Sequence, residues 1–149
     1  MQARTHSDLT SLGLLLLRVG FGGYMITHGY PKFLMLINGQ FDQFPDPLGI
    51  GPRASLFGAA GAEFVCSIFV VAGLLTRFAA LPLVFTMATA AFIIHRADPW
   101  IAGGGASKEP ALMYLVAFLT LILTGPGRYS LDAAFARKQP ATPAQAGEG

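Results

Sequence analysis

Long apolar runs with almost no polar face dominate this chain, and they decide what solvent it folds in. Reading for such runs gives four segments: Leu9 to Gly29, Ala54 to Leu75, Phe78 to Ile94 and Pro110 to Thr124. A helix needs roughly 20 apolar residues to cross a hydrocarbon core of about 30 Å, and the third and fourth runs are short by that measure. Soluble helices, however, set a polar face against their apolar one, and these segments do not. The composition agrees, with 53% hydrophobic and only 12% charged residues against about 25% charged in soluble domains. The expected fold class is all-α: a single-domain, antiparallel transmembrane four-helix bundle.

Turn residues mark the boundaries. Tyr30-Pro31 is expected to end the first span, Gly51-Pro52-Arg53 precedes the second, Thr76-Arg77 separates the second from the third, and Gly125-Pro126-Gly127 stops the fourth. This divides the chain into an N-terminal segment 1–8, a membrane domain 9–132 and a C-terminal tail 133–149, which is rich in Ala, Pro, Gln and Gly and expected to be flexible. The long connections, Pro31 to Arg53 and Arg96 to Glu109, fall on one face of the membrane and the termini on the other. Lys and Arg number five on the terminal face (Arg4, Arg77, Arg128, Arg137, Lys138) and four on the loop face (Lys32, Arg53, Arg96, Lys108). The positive-inside rule then sets the termini in the cytoplasm of a plasma (bacterial inner) membrane. The first span has no small-residue cleavage site after it and reads as retained, not as a signal peptide.

Ionisable residues inside these spans call for partners. At 1.5 Å per residue, Arg18 lies about 14 Å into the first span and Glu63 about 14 Å into the second, so both are expected near the midplane. A lone charge there costs about 2.5 to 3.5 kcal/mol on insertion scales. The two are therefore expected to meet as a structural ion pair. A second group gathers at the loop face, where His28 and Lys32 are one helical turn apart, His95 ends the third span and Glu109 begins the fourth. Taken singly, Glu109 before Pro110 also suits a helix start and Lys32 also suits snorkelling to head groups. Taken together they form a candidate site, with His28, His95 and Glu109 as catalytic groups and His28, Lys32, His95 and Glu109 as cofactor contacts.

A quinone head group suits such a cluster, because it needs hydrogen-bond donors to its carbonyl oxygens and a proton-exchanging neighbour, and His and Glu offer both. Axial ligation of a b-type haem by His28 and His95 is the alternative; it rests on nothing more than two histidines at a shared depth. The single cysteine, Cys66, lies inside an apolar run, which excludes a dithiol pair or a thiolate metal cluster within one chain. Net charge is +2 and scattered, so no basic block exists to follow a nucleic-acid backbone.

The order and spacing of several short pieces add a resemblance. They are Leu17-Arg18-Val19-Gly20, His28-Gly29-Tyr30-Pro31-Lys32, the loop Phe44-Pro45-Asp46-Pro47-Leu48-Gly49-Ile50-Gly51, Ala62-Glu63-Phe64, Gly73-Leu74-Leu75-Thr76-Arg77, Ile94-His95, Asp98-Pro99-Trp100, Lys108-Glu109-Pro110 and Thr124-Gly125-Pro126-Gly127-Arg128. With these the sequence resembles the DoxX family of small four-helix membrane proteins, whose relatives include a membrane subunit of thiosulfate:quinone oxidoreductase. The resemblance implies a four-helix membrane fold and work beside membrane redox enzymes; it transfers no catalytic residues. Two readings follow. The chain is a membrane subunit of a quinone-linked oxidoreductase or respiratory-type redox complex, or it is a non-catalytic accessory subunit that packs against a larger membrane complex. Transport through the Arg18 and Glu63 region is a third, since intramembrane charges mark pathways.

Overall fold

A computed structural model describes residues 2–138, with side chains for 7–137, and every regular element among them is helical. Helix α1 spans Gln2–Ile37. Helix α2 spans Pro52–Ala72 and α3 spans Thr76–Ile94. Helix α4 covers Glu109–Thr124 and α5 covers Leu131–Lys138. Of these, α1, α2 and α3 are long and apolar enough to cross a membrane. Helix α4 is apolar but has 16 residues, or about 24 Å at 1.5 Å per residue.

The start of α3 and both ends of α4 fall close to where the apolar runs place them. The end of the first span does not: α1 runs straight through Pro31 to Ile37. Proline removes one amide donor and frees the carbonyl of Thr27, a defect that transmembrane helices tolerate when neighbouring elements hold the segment. Here α2 does so, with Phe33 stacked on Phe64 at 4.7 Å between ring centres and Lys32 bonded to Glu63. At the ends of the chain, α1 includes residues 2–8, and α5 takes in the first part of the stretch expected to be a flexible tail. The rest of that tail, 139–149, lies outside the described residues.

Helices α1 and α2 run antiparallel. Arg18 faces Val70 and Val71, a Cβ on Gly22 would meet Val71 and Ser67, and a Cβ on Gly29 would stand 2.5 Å from backbone atoms of Glu63 and Phe64. Such direct backbone contact is the usual source of helix association in lipid. Helix α3 packs chiefly on α4 and also on α2. Between the helices lies a core built on Met25, Val70, Ala80, Leu83, Phe118 and Leu121.

The α2–α3 turn is closed by groups far away in sequence. Gly73, at φ 71°, ends α2 with the paired bonds Gly73 N to Val70 O (3.1 Å) and Leu74 N to Phe69 O (2.9 Å), the pattern of a left-handed glycine cap. Leu75 follows at φ 47°, an uncommon conformation for a residue with a side chain. Asp132 holds it there: its carboxylate accepts from Leu75 N (2.7 Å) and from Thr76 N and Oγ1 (3.0 and 3.1 Å), capping the start of α3.

The contact at Gly29 gives a direct test. Gly29→Ala drives a methyl into the α2 backbone and is expected to cost about 1–3 kcal/mol through overpacking. Gly23→Ala meets nothing within 4 Å and should be neutral or slightly stabilising, since alanine favours helix. Thermal unfolding of both variants in detergent checks the contrast.

Candidate functional site

Two of the spanning helices widen, α2 near its middle and α3 at its loop-side end. Residues Gly61–Cys66 of α2 and Ala90–Ile94 of α3 wind as π-helix, with His95 N donating to Ala90 O at 2.8 Å across five residues. Single π turns are rare and concentrate at functional sites. Here Ala62 and Glu63 from one, and Ala90 and Ile94 from the other, line the same cavity.

That cavity, of about 420 Å³, lies between α1, α2, α3 and α4, and the first loop covers it with Phe44, Pro47, Leu48 and Ile50. Most of its wall is apolar, including Met25, Phe85 and Met87. The polar side chains on the wall are His28 and Lys32 from α1, Ser55 and Glu63 from α2, Thr86 and Thr89 from α3, His95 just past α3, and Tyr114 from α4. Of the residues singled out from the sequence, His28, Lys32 and His95 therefore share one wall.

Glu63 belongs with them, and its partner is not the expected one. Lys32 Nζ is bonded to both carboxylate oxygens of Glu63, whose residue is 2% exposed. The expected Arg18–Glu63 pair does not form. Arg18 donates through Nη1 to the carbonyls of Val70 (3.3 Å) and Val71 (3.2 Å) and through Nη2 to that of Tyr129. The error traces to Pro31. Once α1 continues to Ile37, its centre moves toward the C-terminus, and Arg18 falls level with the α2–α3 turn. Glu63 lies opposite Gly29, about 16 Å further along α1 at 1.5 Å per residue. At the turn, the helix end offers the guanidinium the carbonyls of its last turn and the negative pole of the dipole.

Glu109 is a second correction. It is not on the cavity wall; its Oε2 accepts from Ala102 N at 2.8 Å, tying the second long loop to the start of α4. A carboxylate at a helix start can serve loop amides as readily as a ligand, and here it does so. The carboxylate that meets His95 is Asp98, behind the wall, whose Oδ2 lies 2.7 Å from Nδ1 of His95. A carboxylate on one ring nitrogen fixes the tautomer and leaves Nε2 as the chemically available atom. His28 is exposed and packs edge-on to Tyr114 at 5.8 Å. The cover over the cavity is pinned by Asp46, which accepts from Ile50 N (3.1 Å), Gly51 N (2.8 Å) and Ser55 Oγ (2.8 Å). The Ser55 hydroxyl, foremost, and the loop amides of Gly51, Ile50 and Gly49 draw the Asp46 carboxyl below its ordinary range, against a smaller opposing effect of desolvation.

Long apolar helices whose buried charges are met by one another or by helix-end carbonyls define an integral membrane protein. The chain belongs to the DoxX family: the model described as DoxX matches residues 13–96. A second, described as TQO small subunit DoxD, matches residues 55–145. Two Haemophilus influenzae proteins, each described as an uncharacterized protein, are similar. One is 30% identical over 138 residues, covering 88% of each chain; the other is 35% identical over 133 residues, covering 84% of this chain and 92% of the relative. An uncharacterized membrane protein of Mycobacterium tuberculosis is 28% identical over 144 residues, covering 84% of this chain and 82% of its own length. No solved structure matches the chain.

Two measurements test the site's construction. Lys32→Met strands a buried carboxylate and is expected to cost about 3–5 kcal/mol, most of which the double change Lys32→Met with Glu63→Met should recover. For the cover, the folded-state pKa of Asp46 is depressed, so its stabilising effect is complete above the ordinary carboxylate value of about 3.9 and is lost as pH falls through the folded value. Limited proteolysis between Phe41 and Gly51 should accelerate across that acidic window, and Asp46→Asn should cleave fast at every pH.

Proposed function

We propose that this protein is the membrane subunit of a quinone-linked oxidoreductase and that its loop-side cavity receives the quinone head group. It crosses the bacterial inner membrane four times as an antiparallel bundle with its termini in the cytoplasm. The extensive packing of α4 on the spanning helix α3 supports the fourth crossing. The description TQO small subunit DoxD of the family model over residues 55–145 supports a role beside a larger redox complex, whose other subunits deliver the electrons.

One observation carries the reading: an apolar cavity whose few polar groups are donors and proton carriers in charge balance. Its volume falls within the range of about 300–1,000 Å³ typical of small-molecule sites. The apolar wall suits a ring that partitions into lipid. Lys32 offers its ammonium as donor while Glu63 cancels its charge, which favours a neutral carbonyl compound over an anion. His95, oriented by Asp98, is the group suited to exchanging a proton with a carbonyl oxygen. A bound quinone supplies acceptance of two electrons and two protons; the chain's residues bind it, exclude water and handle the protons.

Quinone added to the purified protein should raise its unfolding temperature, and His95→Ala should abolish that rise. No shift with any quinone would refute the reading. A visible spectrum of the same sample separates it from bis-histidine haem, which would show an intense Soret band.

A further inference from the structure

The cavity is not the only recess in this protein. A shallow apolar groove lies on the seam between α1 and α4, lined by Leu17, Phe21, Met113, Val116, Ala117 and Thr120. Helices α1 and α4 touch less than α1 and α2 or α3 and α4 do. The hydroxyl of Thr120 donates to the carbonyl of Val116 at 2.8 Å, so the groove's one polar side chain is satisfied within its own helix. The groove adjoins the cavity through a row of rings. Phe21, on the groove, packs edge-on to Tyr114 at 5.7 Å, and Tyr114 packs edge-on to His28 at 5.8 Å; Tyr114 and His28 both line the cavity.

Building on the quinone reading, we infer that this groove holds the isoprenoid tail of the ligand whose head group occupies the cavity. A tailed head group has to send its tail out of the cavity toward acyl chains. The loop-side exit is covered by Phe44, Leu48 and Ile50. His28 is exposed, beside Tyr114 of α4. From there Leu17 and Phe21 lie two to three turns toward the interior of the α1 span, at 3.6 residues per turn. Val116 and Thr120 likewise lie deeper on α4 than Tyr114. A tail following them runs away from the loop face and along the apolar interior of the spans.

The test uses the full chain in nanodiscs and a benzoquinone with and without a prenyl tail, compared at equal mole fraction in the bilayer. The tailed compound is expected to bind about tenfold more tightly, equivalent to 1.4 kcal/mol. Val116→Trp and Thr120→Trp, both on the lipid side of the groove, should each remove that advantage and leave tailless binding unchanged, which also reports that the variants are folded. The inference is overturned if the advantage survives both substitutions, as it would if ordinary lipid chains fill the groove. It is equally overturned if Gly58→Trp, on the opposite α2–α3 side of the cavity, removes the advantage instead. Failure of either quinone to bind the unaltered protein would bring down the quinone reading itself, and this inference with it.

Discussion

The guanidinium of Arg18 is fully buried, and backbone carbonyls accept hydrogen bonds from both of its terminal nitrogens, while Nε has no partner among the described residues. Val70 and Val71 supply two from the last turn of α2, and Tyr129 supplies a third from the chain beyond α4. Burying such a charge without donors and acceptors matched around it would cost several kcal/mol. Because the carbonyls belong to a helix end, satisfying the arginine also caps α2. With that end fixed against α1, the antiparallel register follows: Gly22 meets the Ser67 and Val71 level, Gly29 meets the backbone at Glu63, and Lys32 reaches the Glu63 carboxylate. The position of the cavity's ion pair is thus set from the opposite end of the same two helices.

The cavity itself is bordered by departures from regular helix. The π-helical segments in α2 and α3 bring Glu63 and the approach to His95 to the wall of one shared space. Once formed, that space holds its ion pair, Lys32 with Glu63, in compensated form, and Asp98 orients His95 on its wall. Uncompensated, either member of the ion pair would be a costly buried charge. Compensated, they leave a wall that is polar at points, neutral overall and otherwise apolar, which is the character expected of a site for a lipid-soluble carbonyl compound.

Much of this was legible in the sequence, because apolar runs and Gly/Pro punctuation report directly on solvent and chain reversal. The second, third and fourth helices lie close to where those signals put them. The clustering of His28, Lys32 and His95 followed from their positions near span ends. What could not be read was register. Pro31 carries the same local signal whether it ends a helix or sits within one, and only its contacts with α2 decide; the mistaken end displaced the centre of α1 and matched Arg18 with the wrong partner. Asp98 had a usable signal, three residues after His95, whereas the π turns had none, since Gly61 to Cys66 reads like any other stretch of small and apolar residues. Glu109 shows the converse difficulty, a carboxylate whose helix-start position fits a ligand and a loop amide equally well.

Residues from α1 and from the segment just past α4 meet at the α2–α3 turn. Arg18 is made early, yet its contact with Tyr129 spans 111 positions, and the carboxylate that steadies Leu75 and Thr76 comes from Asp132. Without the residues just past α4, the first three helices would leave the guanidinium short of one acceptor and the hairpin without the carboxylate that holds it. The short segment beyond α4 thus acts as the clasp on a turn formed more than fifty residues earlier in the chain.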